Sequence, residues 1–243
     1  MPPVQIQCKV LAFRYITPTV FEIDFNCEPD FQFVGGQFIS IVIPGAGPNG
    51  RDLRRAYSIA SAPQDRPIVL CVKLVEGGPG TTYLSKLKPG DVFKSYAPYG
   101  HFVYKTADDR RACFVSTGTG VAPFRSMILS DALRNSKLSR ITCMLGVREE
   151  NELLYSDELR ALLGPRWIEA VSRPTAAGGW KGFKGRVTDW LRQNAATMAW
   201  AETDFYLCGS SAMIDEMKVM LAGYGVKPDA IFQEVYYKVT PGE

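Results

Sequence analysis

The feature that most limits the fold of this chain is the change of pattern at Tyr104. Beyond it, short apolar runs at 112–116, 141–146, 167–171, 205–208 and 231–237 alternate with stretches of helical period at 124–135, 153–163, 187–194 and 212–223. Runs that are apolar on both faces suit strands covered on both sides. Interleaved helices supply the crossovers that parallel strands need. The expected architecture is therefore a doubly wound, five-stranded parallel sheet. In the last helix Met213, Met217, Met220 and Leu221 fall on one face, and Gly223 is expected to close it.

Before Tyr104 the sequence reads as β. Runs at 5–14, 20–26, 36–43, 55–61, 68–75 and 91–95 are separated by Pro and Gly clusters such as Thr17-Pro18-Thr19 and Pro44-Gly45-Ala46-Gly47-Pro48-Asn49-Gly50. Six short strands with that punctuation predict a small antiparallel barrel or sandwich. One or two helical turns are expected at 81–87, where Leu84 and Leu87 share a face. The polar bridge 105–111 is the candidate boundary, which divides the chain into 1–106 and 107–243.

At 243 residues the chain has room for two modest domains, and a net charge of +3 is too mild to argue for nucleic acid or a membrane surface. No apolar run reaches membrane-spanning length, so membrane insertion is not expected. The N-terminal residues enter alternating sequence without a signal-peptide pattern, which leads to the expectation of a cytoplasmic protein. Cys8, Cys27, Cys71, Cys113, Cys143 and Cys208 are scattered, with no C-x-x-C pair. Neither a zinc site nor an iron–sulfur centre is supported, and reduced thiols are expected. His101 is the one histidine, which removes most metal sites; the metal expectation is none.

Several stretches have compositions suited to chemistry. Arg54-Arg55-Ala56-Tyr57-Ser58-Ile59-Ala60-Ser61 combines guanidinium, phenol and hydroxyls on a strand, the set that a flat phosphorylated ligand requires; an ordinary strand with a buried Tyr is the alternative. Ser116-Thr117-Gly118-Thr119-Gly120-Val121-Ala122-Pro123 joins the first parallel strand to a helix, as a pyrophosphate-binding turn does, with Pro123 where the usual fingerprint has a third glycine. Arg148, Ser172 and Arg173 follow the second and third strands, with Lys181 and Lys184 in a Gly-rich loop beyond. Cations there, in place of an acidic residue, favour a 2′-phosphate and hence NADPH over NADH. Cys208-Gly209 ends the fourth strand on the same edge, where the glycine lets a flat ring approach. In the last strand Glu234 and Tyr236 share a face.

Taken in order, these motifs resemble those of the ferredoxin–NADP(+) reductase family over nearly the whole chain. Arg55-Ala56-Tyr57-Ser58-Ile59-Ala60-Ser61 is similar to the flavin motif R-x-Y-S-x-x-S, and Leu70-Cys71-Val72-Lys73 to the plant-type L-C-V-K segment. Gly78-Pro79-Gly80-Thr81-Thr82-Tyr83-Leu84 is similar to the stretch at the flavin pyrophosphate. The run from Gly118 to Ser126 resembles G-T-G-x-A-P-F-R-S. Tyr206-Leu207-Cys208-Gly209 with Met213 resembles C-G-x-x-x-M, and Glu234-Val235-Tyr236 the plant-type ending.

The resemblance implies an FAD-binding barrel followed by an NADP(H)-binding α/β domain. It implies that Tyr57 stacks on one isoalloxazine face while Ser58 hydrogen-bonds near N5. Arg55, Ala56, Gly80, Thr81 and Thr82 belong to the flavin motifs, with Arg55 and Thr81 on the pyrophosphate. Cys71, Val72 and Lys73 flank the rest of FAD. Thr119, Gly120, Arg148, Ser172, Arg173, Cys208 and Gly209 line the NADPH path. Tyr236 covers the second flavin face, and Glu234 positions or relays a proton, so the implied catalytic set is Ser58, Cys208, Glu234 and Tyr236. The chain runs seven residues past Tyr236, which makes Tyr237 a rival for the stacking position. Gly146-Val147-Arg148-Glu149-Glu150-Asn151-Glu152-Leu153 is closer to the bacterial branch. The implied activity is hydride exchange between NADPH and flavin and single-electron exchange with a separate ferredoxin or flavodoxin. The alternatives are a flavin reductase that releases reduced flavin and an electron-transfer subunit of a larger complex. Oligomeric state is left open by the sequence.

Overall fold

The computed structural model describes residues 2–175 and 179–237, the side chain of Tyr237 aside. Contacts divide the chain into two units. The first holds Met1–Tyr104 and Ala122–Arg134; the second holds Lys105–Val121 and Asn135–Glu243. The expected division at 106/107 does not anticipate that 122–134 joins the first unit.

In the first unit six strands form one antiparallel sheet: β1 (Val4–Thr17), β2 (Val20–Glu28), β3 (Phe38–Ile43), β4 (Leu53–Ser58), β5 (Ile68–Lys73) and β6 (Val92–Tyr99). Their order is β4-β3-β6-β1-β2-β5, and a bridge between Ile59 and Leu70 joins the two edges into a barrel. Alternation drives the closure. In β1, Ile6, Cys8 and Val10 turn inward while Gln5, Gln7 and Lys9 stay exposed. They meet Phe21, Ile23 and Phe25 of β2, Ile39 and Ile41 of β3, Leu70 and Val72 of β5 and Phe93 of β6 in one core. A short helix, α1 (Pro79–Leu84), starts two residues before the expected turn.

The helical period expected over 124–135 appears as two helices, α2 (Ala122–Leu129) and α3 (Asp131–Arg134). The break is at Ser130, whose hydroxyl donates back to the Met127 carbonyl at 2.6 Å. Serine competes with the helix for backbone partners in this way.

Among its described residues the second unit carries a parallel sheet of six strands, not the expected five: β7 (Arg111–Thr117), β8 (Ile141–Val147), β9 (Trp167–Val171), β10 (Phe183–Lys184), β11 (Thr203–Ser210) and β12 (Ile231–Tyr237). The order is β10-β9-β8-β7-β11-β12, with every pairing parallel. The additional strand is the two-residue β10 between Gly182 and Gly185, too short to carry an apolar period. Helices α4 (Ser156–Leu163), α5 (Val187–Gln193) and α6 (Ser211–Gly223) connect the strands. The chain enters α4 later than the expected residue 153, because Tyr155 takes a left-handed conformation at φ 58°. Met213, Met217, Met220 and Leu221 of α6 are all buried, as their spacing predicts. The closing glycine, however, is Gly225 at φ 76°, not Gly223. Val226 N–H donates to the Leu221 carbonyl and Gly225 N–H to that of Ala222, each at 3.0 Å. This pattern satisfies the last carbonyls and requires the left-handed residue two positions later.

Candidate flavin and dinucleotide sites

In the first unit β4 pairs along β3, with Ile41 opposite Arg55, Ile39 opposite Tyr57 and Phe38 opposite Ser58. Alternation separates two sets of side chains. Arg54 lies on one face, where its guanidinium donates to Ser40 Oγ at 3.0 Å and Tyr99 Oη at 2.8 Å and sits 4.3 Å from the Tyr96 ring centre. Arg54 is thereby tied to the barrel wall. Arg55 and Tyr57 lie on the other face and back onto the turn that opens α1. A Cβ added at Gly80 would lie 2.4 Å from the Tyr57 hydroxyl oxygen and 3.1 Å from Arg55 Cγ. Any larger residue there would have to push the phenol aside. The result is a phenol, an exposed guanidinium and the first-turn amides of a helix side by side, the donor set that an aromatic ring carrying a pyrophosphate needs. FAD fits these residues.

The remaining flavin candidates divide by orientation. Ala56 and Thr82 are exposed, and Ser58 is buried at the strand end. The Thr81 hydroxyl is turned into its own loop, accepting from Val75 N–H at 3.2 Å and donating to the Val75 carbonyl at 3.1 Å. It shapes the turn from within. On β5, Val72 packs in the core, so it offers a ligand its backbone alone. Cys71 is buried opposite Glu22, and Lys73 is half-exposed opposite Val20. Glu22 is itself a buried carboxylate held by Arg14 across the hairpin.

In the second unit the chain steps outward from β7 through β8 and β9 to β10, then returns to β11 on the other side of β7. The carboxyl ends of β7 and β11 therefore form a topological switch point, where open α/β sheets bind ligands. Two glycines allow the strand ends to interlock there. A Cβ on Gly120 would lie 2.3 Å from the Cys208 carbonyl oxygen, and one on Gly209 would lie 2.2 Å from Thr117 Oγ1. Gly209 also has φ 145°, and Gly118 has φ 53°. Thr117 Oγ1 accepts from Ser210 N–H at 3.1 Å, which fixes the second strand end to the first. Thr119 and Gly120 are buried in this crossing.

Arg148 and Arg173 are exposed and adjacent: Arg173 N–H donates to the Arg148 carbonyl at 2.7 Å, and Ser172 N–H to the Val147 carbonyl at 3.1 Å. A second tie holds the two loops together. Thr175 donates to Glu150 through its N–H at 3.1 Å and its hydroxyl at 2.5 Å, which keeps the Glu150 carboxyl below its ordinary range. Lys181 and Lys184 are exposed beside and within β10.

Cys208, Glu234 and Tyr236 come together, because β11 and β12 pair with Cys208 opposite Glu234. Burial and then the Glu234 carboxylate push the Cys208 thiol well above its usual range, while a hydrogen bond with the Tyr236 side chain pulls the other way. The group is a thiol at neutral pH, not a nucleophilic thiolate. Tyr237 lies in β12, but its side chain and everything beyond it fall outside the described residues. Among the described residues no cluster of His, Cys, Asp and Glu could hold a metal.

Comparison with known proteins also divides the chain near the polar bridge, but places 122–134 with the second part. Residues 8–104 match the family described as the oxidoreductase FAD-binding domain, and residues 114–218 match the oxidoreductase NAD-binding domain. Ferredoxin--NADP reductase B of Sorangium cellulosum (strain So ce56) is 32% identical over 226 residues, covering 89% of this chain and 91% of that protein. The chain belongs to the ferredoxin–NADP reductase family. The ferredoxin--NADP reductase of Azotobacter vinelandii is also 32% identical, with 90% of each chain covered. The reductase component of phenol 2-monooxygenase from Pseudomonas sp. (strain CF600) is 31% identical over 96% of this reductase but only 66% of its own length. In fold, the reductase superposes on a ferredoxin NADP+ reductase of Neisseria gonorrhoeae solved with FAD and NADP, at a TM-score of 0.82 and 22% identity, covering 96% and 99% of the two chains.

Two residues named within the candidate stretches acquire a role only in the structure. Thr117 anchors the β11 end, and its place beside the Gly118–Gly120 turn was the available signal. Arg54 adjoins Arg55 and reads the same in sequence; the two-residue period alone separates the braced guanidinium from the exposed one.

Proposed function

We propose that this reductase passes hydride from NADPH to FAD and hands the electrons on, one at a time, to a separate ferredoxin-type protein. FAD, when bound, supplies the chemistry that joins a two-electron donor to one-electron carriers. The protein's own residues bind and orient. Tyr57 offers a ring face, Arg55 a cation for phosphate, and Ser58 a hydroxyl at the buried strand end. Thr119 and Gly120 open the switch point to the dinucleotide. Cys208 and Gly209 form its floor, with Glu234 and Tyr236 beside it as groups able to hold a proton or a ring. The observation that carries the coenzyme choice is the pair of exposed guanidiniums, Arg148 and Arg173, on loops bonded to each other. Two guanidinium forks carried on tied loops suit the dianionic 2′-phosphate that NADPH has and NADH lacks.

The test is anaerobic titration of the FAD-loaded protein with NADPH and, separately, NADH, followed by steady-state reduction of a ferredoxin. NADPH is expected to bleach the flavin band with kcat/KM at least about tenfold above that for NADH. Arg148→Ala with Arg173→Ala is expected to erase that preference and leave NADH turnover unchanged. Equal use of both coenzymes by the unaltered chain overturns the NADPH assignment. A second reading is motivated by the phenol 2-monooxygenase relative, whose name makes it one component of a larger enzyme. In that reading the chain serves a dedicated partner, and ferredoxin reduction is slow while NAD(P)H still bleaches the flavin.

A further inference from the structure

We infer that Arg125 and Ser126, on the helix that follows the dinucleotide loop in sequence, are positioning residues of the flavin site. The inference rests on the assignment of Tyr57 and Ser58 to the flavin. The segment directly after them, Ile59-Ala60-Ser61, lies in no strand, yet its backbone groups are held from two sides. On the barrel side, Ile59 N–H donates to the Gln37 carbonyl at 3.0 Å and Ala60 N–H to the Val69 carbonyl at 2.8 Å. Ser61 Oγ accepts from Val69 N–H at 3.1 Å. The carbonyls go to α2: that of Ala60 accepts from the Arg125 guanidinium at 2.8 Å, and that of Ser61 from the Ser126 hydroxyl at 2.6 Å. Gln64 completes the set by donating to the Leu129 carbonyl at 2.9 Å.

The helix is seated tightly enough for these bonds to transmit position. A Cβ on Gly35 would lie 2.8 Å from Met127 Cα, and the rings of Phe102 and Phe124 lie 5.7 Å apart. Ser126 and Ala60 are fully buried, so water cannot replace a lost donor. Tyr57 and Ser58 immediately precede this doubly held segment. Slack in it moves a ring and a hydroxyl whose value depends on placement within a fraction of an ångström.

The experiment compares the unaltered chain with Ser126→Ala, Ser126→Thr, Arg125→Met and Arg125→Lys. The readouts are FAD dissociation constant by fluorescence quenching, fine structure of the bound flavin absorption band, and binding of 2′,5′-ADP. Ser126→Ala and Arg125→Met are each expected to weaken FAD by about tenfold and blur the flavin band, with 2′,5′-ADP affinity unchanged. Ser126→Thr and Arg125→Lys keep a donor and are expected to restore affinity and spectrum to within about twofold. FAD affinity and spectrum unchanged in both Ser126→Ala and Arg125→Met overturn the inference. So does equal damage from Thr and Ala at 126, which would mark a packing effect instead of a donor. Failure of the unaltered chain to bind FAD sinks the underlying flavin assignment, an outcome visible before any variant is made.

Discussion

At the scale of single residues, the candidate site depends on which way each side chain points. Arg54 and Arg55 are neighbours in sequence, yet one is bonded to Ser40 and Tyr99 while the other faces Gly80. The same two-residue period turns Val72 into the core between Cys71 and Lys73. Tyr57 and Ser58 are therefore expected to fail differently. Tyr57→Ala removes the ring face and is expected to release FAD during gel filtration, read as loss of the visible band from the protein peak. Ser58→Ala removes one buried hydroxyl and is expected to retain FAD while slowing flavin reduction in stopped flow by about tenfold or more. Full flavin and full rate in both variants would return β4 to the status of an ordinary strand. Orientation was partly legible in the sequence, since alternation is. The inward turn of the Thr81 hydroxyl was not, because it depends on a loop closing on Val75 and Gly78, six and three residues away.

At the scale of elements, the long alternating runs are legible in the sequence near their true positions because burial of one or both faces imprints a period. Elements without a period escaped. β10 has two residues, and the break in α2–α3 comes from one serine hydroxyl competing for a carbonyl. The crossing of β7 and β11 is likewise invisible in sequence beyond its glycines, because the partners lie about 90 residues apart along the chain. Its energetics are nonetheless predictable. Gly120→Ala puts a methyl 2.3 Å from a carbonyl oxygen of the backbone, which no rotamer can relieve. It is expected to cost on the order of 3 kcal/mol in urea unfolding and to weaken 2′,5′-ADP binding measurably. Gly223→Ala meets nothing within 4 Å in a helix and is expected to stabilise slightly in the same assay.

At the scale of the whole molecule, the sequence announces two domains, and family matches to residues 8–104 and 114–218 fall on either side of the polar bridge. What no local pattern could reveal is that 122–134 packs with the first unit. Membership is decided by contacts with Gly35, Ala60, Ser61 and Gln64, all more than 50 residues earlier in the chain. A fragment of residues 1–106 is accordingly expected to lack a cooperative thermal transition, having lost the helix that covers Gly35 and Phe102. The same fragment with 122–134 joined through a short Gly-Ser linker is expected to recover one, followed by circular dichroism. A sharp melt from the bare 1–106 fragment would mean that α2 is dispensable to the barrel.

The chain passes from one unit to the other three times, after Tyr104, Val121 and Arg134. Two such modules cannot be exchanged between relatives by a single crossover in the gene. A chimera that takes its dinucleotide half from another reductase by one cut in the polar bridge also imports a foreign α2, with whatever side chains that relative places at 125 and 126. Successful swaps need a mosaic insert, with 122–134 returned to the flavin donor. Coding order and structural ownership thus differ by a thirteen-residue island.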